Sequence, residues 1–156
     1  MKRFPGQKVD YLDERRKLLF KMVSEILRPL GFKKKGSRWT KHTADSDVTI
    51  HLQESSWRYS FYVNAEYRFH EAPKTRVPDL VARIEEASFL SVESDENFNR
   101  LKETLPNYFK LELVPKLLSI ASLQSKAWYG TPIGAWGATQ FLRERKPGLF
   151  GSRAGL

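Results

Sequence analysis

Two runs of the chain alternate strictly between apolar and polar residues, and their polar positions carry the side chains best suited to chemistry. In residues 48–53 these are Thr49, His51 and Gln53; in residues 59–67 they are Ser60, Tyr62, Asn64 and Glu66. A period of two sets them on one side of a pleated sheet, where opposite residues on adjacent strands stand about 5 Å apart. His51, Tyr62, Asn64 and Glu66 could there form a hydrogen-bonded cluster or a weak metal site. A solvated or helix-covered face with satisfied polar groups would use the same residues. Gln53 and Asn64 are the candidate binding residues of this group, since a carboxamide both donates and accepts and so can read a backbone edge or a base. Pairing between strands accounts for them equally well.

The means for catalysis are sparse. The absence of cysteine removes disulfides, thiolate nucleophiles and sulfur-ligated zinc, and leaves His42, His51, His70 and carboxylates as metal ligands. His42 and His70 fall at turn and loop positions with no second imidazole at helical or strand spacing, so neither a metal nor a cofactor is expected. No GxSxG, Walker-type or dinucleotide loop occurs; the glycine-rich residues 130–137 follow no strand and carry no lysine at the phosphate position. Glu85-Glu86 and Asp95-Glu96 are adjacent in sequence and read as turns or caps, because a working acid–base pair needs convergent geometry. These observations point away from an enzyme.

A second group lies near the end of the chain, where Trp128, Tyr129, Trp136, Phe141 and Phe150 interleave with Arg143, Arg145, Lys146 and Arg153. Aromatic anchors beside arginines are the composition of protein-interface hot spots and of surfaces that stack single-stranded nucleic acid. A last helix folded back over the sheet would have the same composition. Lys33-Lys34-Lys35 and Arg38 alternate across a strand, where lysines guard a sheet edge as readily as they contact phosphate.

The elements that position these groups follow from periodicity. Leu19, Met22, Val23, Ile26, Leu27 and Leu30 recur at spacings of three and four, giving a helix over residues 13–30 that Gly31 ends, with Pro29 stopping or kinking it near Leu27. Residues 32–41, interrupted by Gly36 and carrying Trp39, predict the start of a hairpin, with a turn at residues 44–47. The two alternating runs follow, with Trp39, Ile50, Leu52, Phe61 and Val63 facing the core. Residues 70–79 read as a loop, and residues 80–90 as either a short helix begun by Pro78-Asp79 or a further strand around residues 81–84, the strand being preferred. Ser94 or Asp95 caps a helix through Leu105, and Pro106 starts another to about Leu123, kinked or restarted at Pro115.

The run from Leu27 to Gly36, with its Gly31-Phe32 corner, then Trp39, Leu52-Gln53 and Tyr59-Ser60-Phe61-Tyr62-Val63-Asn64, resembles the bacterial domain of unknown function family 4304. Arg83-Ile84 and residues 98–115 look like its second half, so the resemblance covers roughly residues 15–122. It implies an α+β fold and a small stand-alone protein, and brings no activity with it; an immunity role beside a toxin is an analogy of class.

Composition sets the remaining bounds. The chain of 156 residues with 40% hydrophobic content is enough for one packed core without crosslinks. It is expected to divide into an α+β domain over residues 1–125, an antiparallel meander of three to four strands on an N-terminal helix and C-terminal helices, and an extension over residues 126–156. No apolar stretch reaches membrane-spanning length, and the charged residues 1–16 do not resemble a signal peptide, so a cytoplasmic protein without membrane contact is expected. A net charge of +9 favours nucleic acid, an anionic membrane surface or an acidic protein partner. The leading expectation is a non-enzymatic protein-binding module, an immunity or accessory factor engaging an acidic protein partner through Trp128, Tyr129, Trp136, Arg143, Arg145, Gln53 and Asn64. A nucleic-acid-binding protein is the second reading and an unrecognised hydrolase the third.

Overall fold

A computed structural model describes residues 8–56, 59–70, 78–84 and 90–121. Helix α1 (Lys8–Leu27) buries Leu19, Val23 and Leu27, with Met22 and Ile26 packed at the margin. It starts earlier than the apolar stripe indicates and stops where Pro29 removes a backbone donor. A single 3-10 turn (Arg28–Leu30) carries the chain to Gly31, whose φ of +94° lies in the left-handed region. Lys41 Nζ donates to Leu30 O at 2.7 Å and satisfies one of the carbonyls left at this helix end.

Six strands follow or intervene: β1 (Lys33–Lys35), β2 (Arg38–His42), β3 (Ser46–Glu54), β4 (Ser60–Phe69), β5 (Leu80–Arg83) and β6 (Leu90–Ser91). They form one antiparallel meander in the order β1-β2-β3-β4-β5, while β6 pairs with β4. Because β5 pairs with residues 64–67 and β6 with Ser60 and Phe61, these two strands lie end to end along the same side of β4. The sheet thus exceeds the three to four strands expected. The additional ones are β1 and β6, of 3 and 2 residues, too short to display a period of two.

Register places Trp39, Ile50, Ala65 and Ala82 in one row across the sheet and Leu52 beside Val63. All are buried, as is Phe61. The helices reach the sheet from this side. Trp39 Nε1 donates to Ser24 Oγ in α1 at 3.0 Å, and Phe20 packs on Trp39 and edge-on against Phe61 with ring centroids 5.8 and 5.5 Å away. Tyr67 OH donates to Leu117 O at 2.7 Å, and burial pushes its phenol far above the usual range.

Helix α2 (Asp95–Asn107) begins at Ser94, whose Oγ accepts from Asn97 N–H at 3.1 Å, and buries Phe98, Leu101 and Leu105. Pro106 does not open a new helix, contrary to expectation: α2 runs through it to Asn107. Its ring forgoes only the bond that residue 106 would give to the carbonyl four residues back. The interruption comes next, as a π-helical segment (Tyr108–Leu113) closed by Val114 N–H donating to Phe109 O. Helix α3 (Val114–Ala121) then restarts with Pro115 in its first turn, where a missing N–H costs least. Arg15 ties the layers together, donating to Val92 O at 3.2 Å and Glu93 O at 3.1 Å and pairing with Asp95.

Candidate functional site

Since paired residues on adjacent strands share a face, the register collects Lys33, Lys35, Arg38 and Thr40 with Thr49, His51, Gln53, Tyr62, Asn64, Glu66 and Arg83 on the side away from the core. At its centre the carboxamides meet diagonally across β3 and β4. Asn64 Nδ2 donates to Gln53 Oε1 at 2.7 Å, and Arg83 on β5 reaches both, its Nη2 3.4 Å from Gln53 Oε1 and its Nε 3.5 Å from Asn64 Oδ1. The guanidinium carbon lies 3.7 Å from the centroid of the Tyr62 ring, a cation–π contact that fixes the arginine plane. Asn64 is 8% exposed and so is held within the array, whereas Gln53 is exposed.

Beside this group Glu66 Oε2 lies 3.5 Å from both Arg38 Nε and His51 Nδ1. Burial lowers the His51 pKa and the nearby Arg38 charge lowers it further, more than Glu66 raises it. At neutral pH His51 is therefore an uncharged ring, and Arg38 balances the Glu66 carboxylate. Gln53, Asn64, His51, Tyr62 and Glu66 are thus brought together as the alternation indicated. Arg38, read from sequence with Lys33-Lys34-Lys35 as an edge or phosphate contact, joins this network instead, and Arg83, noted only in the resemblance, becomes recognisable as a member once β5 is paired with β4.

A second cluster stands at the far end of the sheet. Asp47 Oδ1 accepts from His42 Nδ1 at 2.7 Å and from His70 Nε2 at 2.9 Å, and His70 Nδ1 is 3.1 Å from Ala44 O. The hydrogen bond to Asp47 raises the His70 pKa, while burial alone would raise that of Asp47 but the two imidazoles bring it down. Among the described residues no group of three or more histidines and carboxylates is placed to hold a metal ion. Trp128, Tyr129, Trp136, Arg143 and Arg145, like Glu85 and Glu86, lie outside the described residues. No helix among the described residues is long and apolar enough to cross a membrane.

The architecture is that of a two-layer α+β domain, an antiparallel meander with helices on one face and a polar network on the other. Residues 23–84 match the model of the family described as a domain of unknown function, DUF4304. The matched stretch runs from the last five residues of α1 through β5 and holds every member of the sheet-face network. No curated protein and no solved structure matches the chain.

Proposed function

We propose that the protein is a non-enzymatic protein-binding module that engages an acidic partner, an accessory or immunity factor in kind. The observation that carries this reading is the polar sheet face. Its central side chains are held by one another before any partner arrives, and its cations Lys33, Lys35, Arg38, Arg68 and Arg83 outnumber its carboxylates Asp47 and Glu66. Side chains already fixed lose little freedom on binding, which favours affinity from a modest contact area. An excess of one charge speeds encounter with an opposite one. Trp128, Tyr129 and Trp136 would add aromatic anchors, and Arg143 and Arg145 further cations, to the partner contact.

Nucleic-acid binding is the second reading, favoured by the same charge excess. The two separate by capture from native lysate with the tagged full chain, with and without nuclease, against an Arg83→Glu variant. The expected result is an acidic protein that survives nuclease treatment and is lost from the variant while the melting temperature holds. Capture that disappears with nuclease, or that the variant leaves unchanged, refutes the reading.

A further inference from the structure

The helical side of the molecule carries a second charged surface, a cleft of about 720 Å³ between α1 and the β1 edge. Phe20 lines it, the ring that also packs on Trp39 and Phe61. Its charges are segregated along the helix. Asp13 and Glu14 stand at one end; Lys21 and Arg28 stand about two and about four turns further on. Lys34 joins the basic end because it lies opposite Trp39 in the β1–β2 hairpin, and Trp39 is bonded to Ser24 of α1. Arg16 and Lys17 are already engaged, by Glu54 at 3.0 Å and Glu14 at 3.7 Å. Lys21, Arg28 and Lys34 have no anionic partner among the described residues.

We propose that this cleft binds an extended acidic peptide segment, its carboxylates lodged among Lys21, Arg28 and Lys34. Three unneutralised cations around one concavity focus a positive field that a flat surface would disperse into solvent. The Asp13–Glu14 end decides between polyanions, because Arg16 and Lys17 are paired there with Glu54 and Glu14 and leave no net positive charge. A nucleic-acid strand carries a charge at every residue and would set phosphates against these carboxylates, whereas a peptide can be acidic at one end only. The Phe20 ring offers apolar contact to a side chain between the charged ends. Asp13 to Arg28 spans about 22 Å at about 1.5 Å per helical residue, the length of about seven residues of extended peptide. The proposal rests on the reading of the protein as a module for an acidic partner and assigns that partner a contact apart from the sheet face.

Direct titration of the full chain tests it. The probes are two fluorescein-labelled seven-residue peptides with three glutamates at one end and a lysine at the other, one for each chain direction, with a seven-nucleotide oligothymidylate as competitor. One peptide direction is expected to bind. The double variant Lys21→Glu/Lys34→Glu is expected to weaken it at least tenfold with no change in melting temperature, and to gain affinity for the same peptide with its glutamates replaced by lysines. Absence of binding by either peptide, affinity indifferent to the double variant, or displacement by the oligothymidylate at equal concentration each overturns the proposal. If lysate capture of an acidic protein persists and depends on Arg83 while the peptide titration fails, the cleft assignment alone falls.

Discussion

Replacing Phe61 by alanine tests the packing on which the polar face depends. The ring is fully buried and meets Phe20 edge-on at a centroid distance of 5.5 Å and an interplanar angle of 74°. Its backbone is flanked by Glu54 of β3 on one side and Leu90 of β6 on the other, so strand pairing keeps the walls of the site from closing. A phenylalanine truncated in such a core costs about 3–5 kcal/mol from lost transfer energy and the cavity left behind. The forfeited edge-on contact, worth about 0.5–1.5 kcal/mol in itself, places the loss in the upper half of that range. Urea denaturation followed by tryptophan fluorescence and circular dichroism measures it. With a slope of about 2 kcal/mol per molar for a domain of this size, the midpoint should fall by about 2 M with the slope unchanged. A loss below about 1 kcal/mol would mean that the site collapses around the smaller side chain, and would refute the account of β4 as a rigid central strand.

Gly31→Ala should cost about 1–2 kcal/mol because its φ of +94° disfavours any side chain; the neighbouring Lys41 Nζ, 2.9 Å from the added carbon, can swing away. A neutral substitution, measured by thermal melting, would show that the helix end relaxes. His70, raised above its ordinary 6.5, contributes stability that is fully present below that pH and is lost as pH rises through its folded value. Asp47, lowered from 3.8, contributes above that pH and loses its contribution as pH falls through its folded value. The difference in melting temperature between wild type and His70→Gln should therefore be greatest between about pH 4 and 6.5 and shrink on both sides; a flat difference would contradict the Asp47–His70 pairing. Trp136→Ala should weaken partner capture by about thirtyfold, corresponding to about 2 kcal/mol, with little change in melting temperature; intact capture with a large loss of stability would assign the ring to packing.

Much of the framework was legible in the sequence because it is set by local chemistry. Strict alternation in β3 and β4 assigns each side chain to a face without knowledge of its partners, and Ile50, Leu52, Phe61 and Val63 are buried accordingly, as is Trp39 of β2. Gly31 and Ser94 mark helix ends through the conformation and hydrogen bond their residue types favour. Tertiary structure decided what local chemistry leaves open. Whether α2 stops at Pro106 depends on packing of Phe98, Leu101 and Leu105, which carries the helix past one missing hydrogen bond. β6 is a strand only because β4 offers its open side. The same dependence governs the site: Gln53 and Asn64 are 11 residues apart and Arg83 a further 19 from Asn64, and only register across three strands turns them into one array. Lys21, Arg28 and Lys34 meet for a similar reason, as the Trp39–Ser24 bond sets the hairpin against α1. A residue's preference for a face is written in its neighbours along the chain, whereas the partners it finds there depend on how distant segments pack.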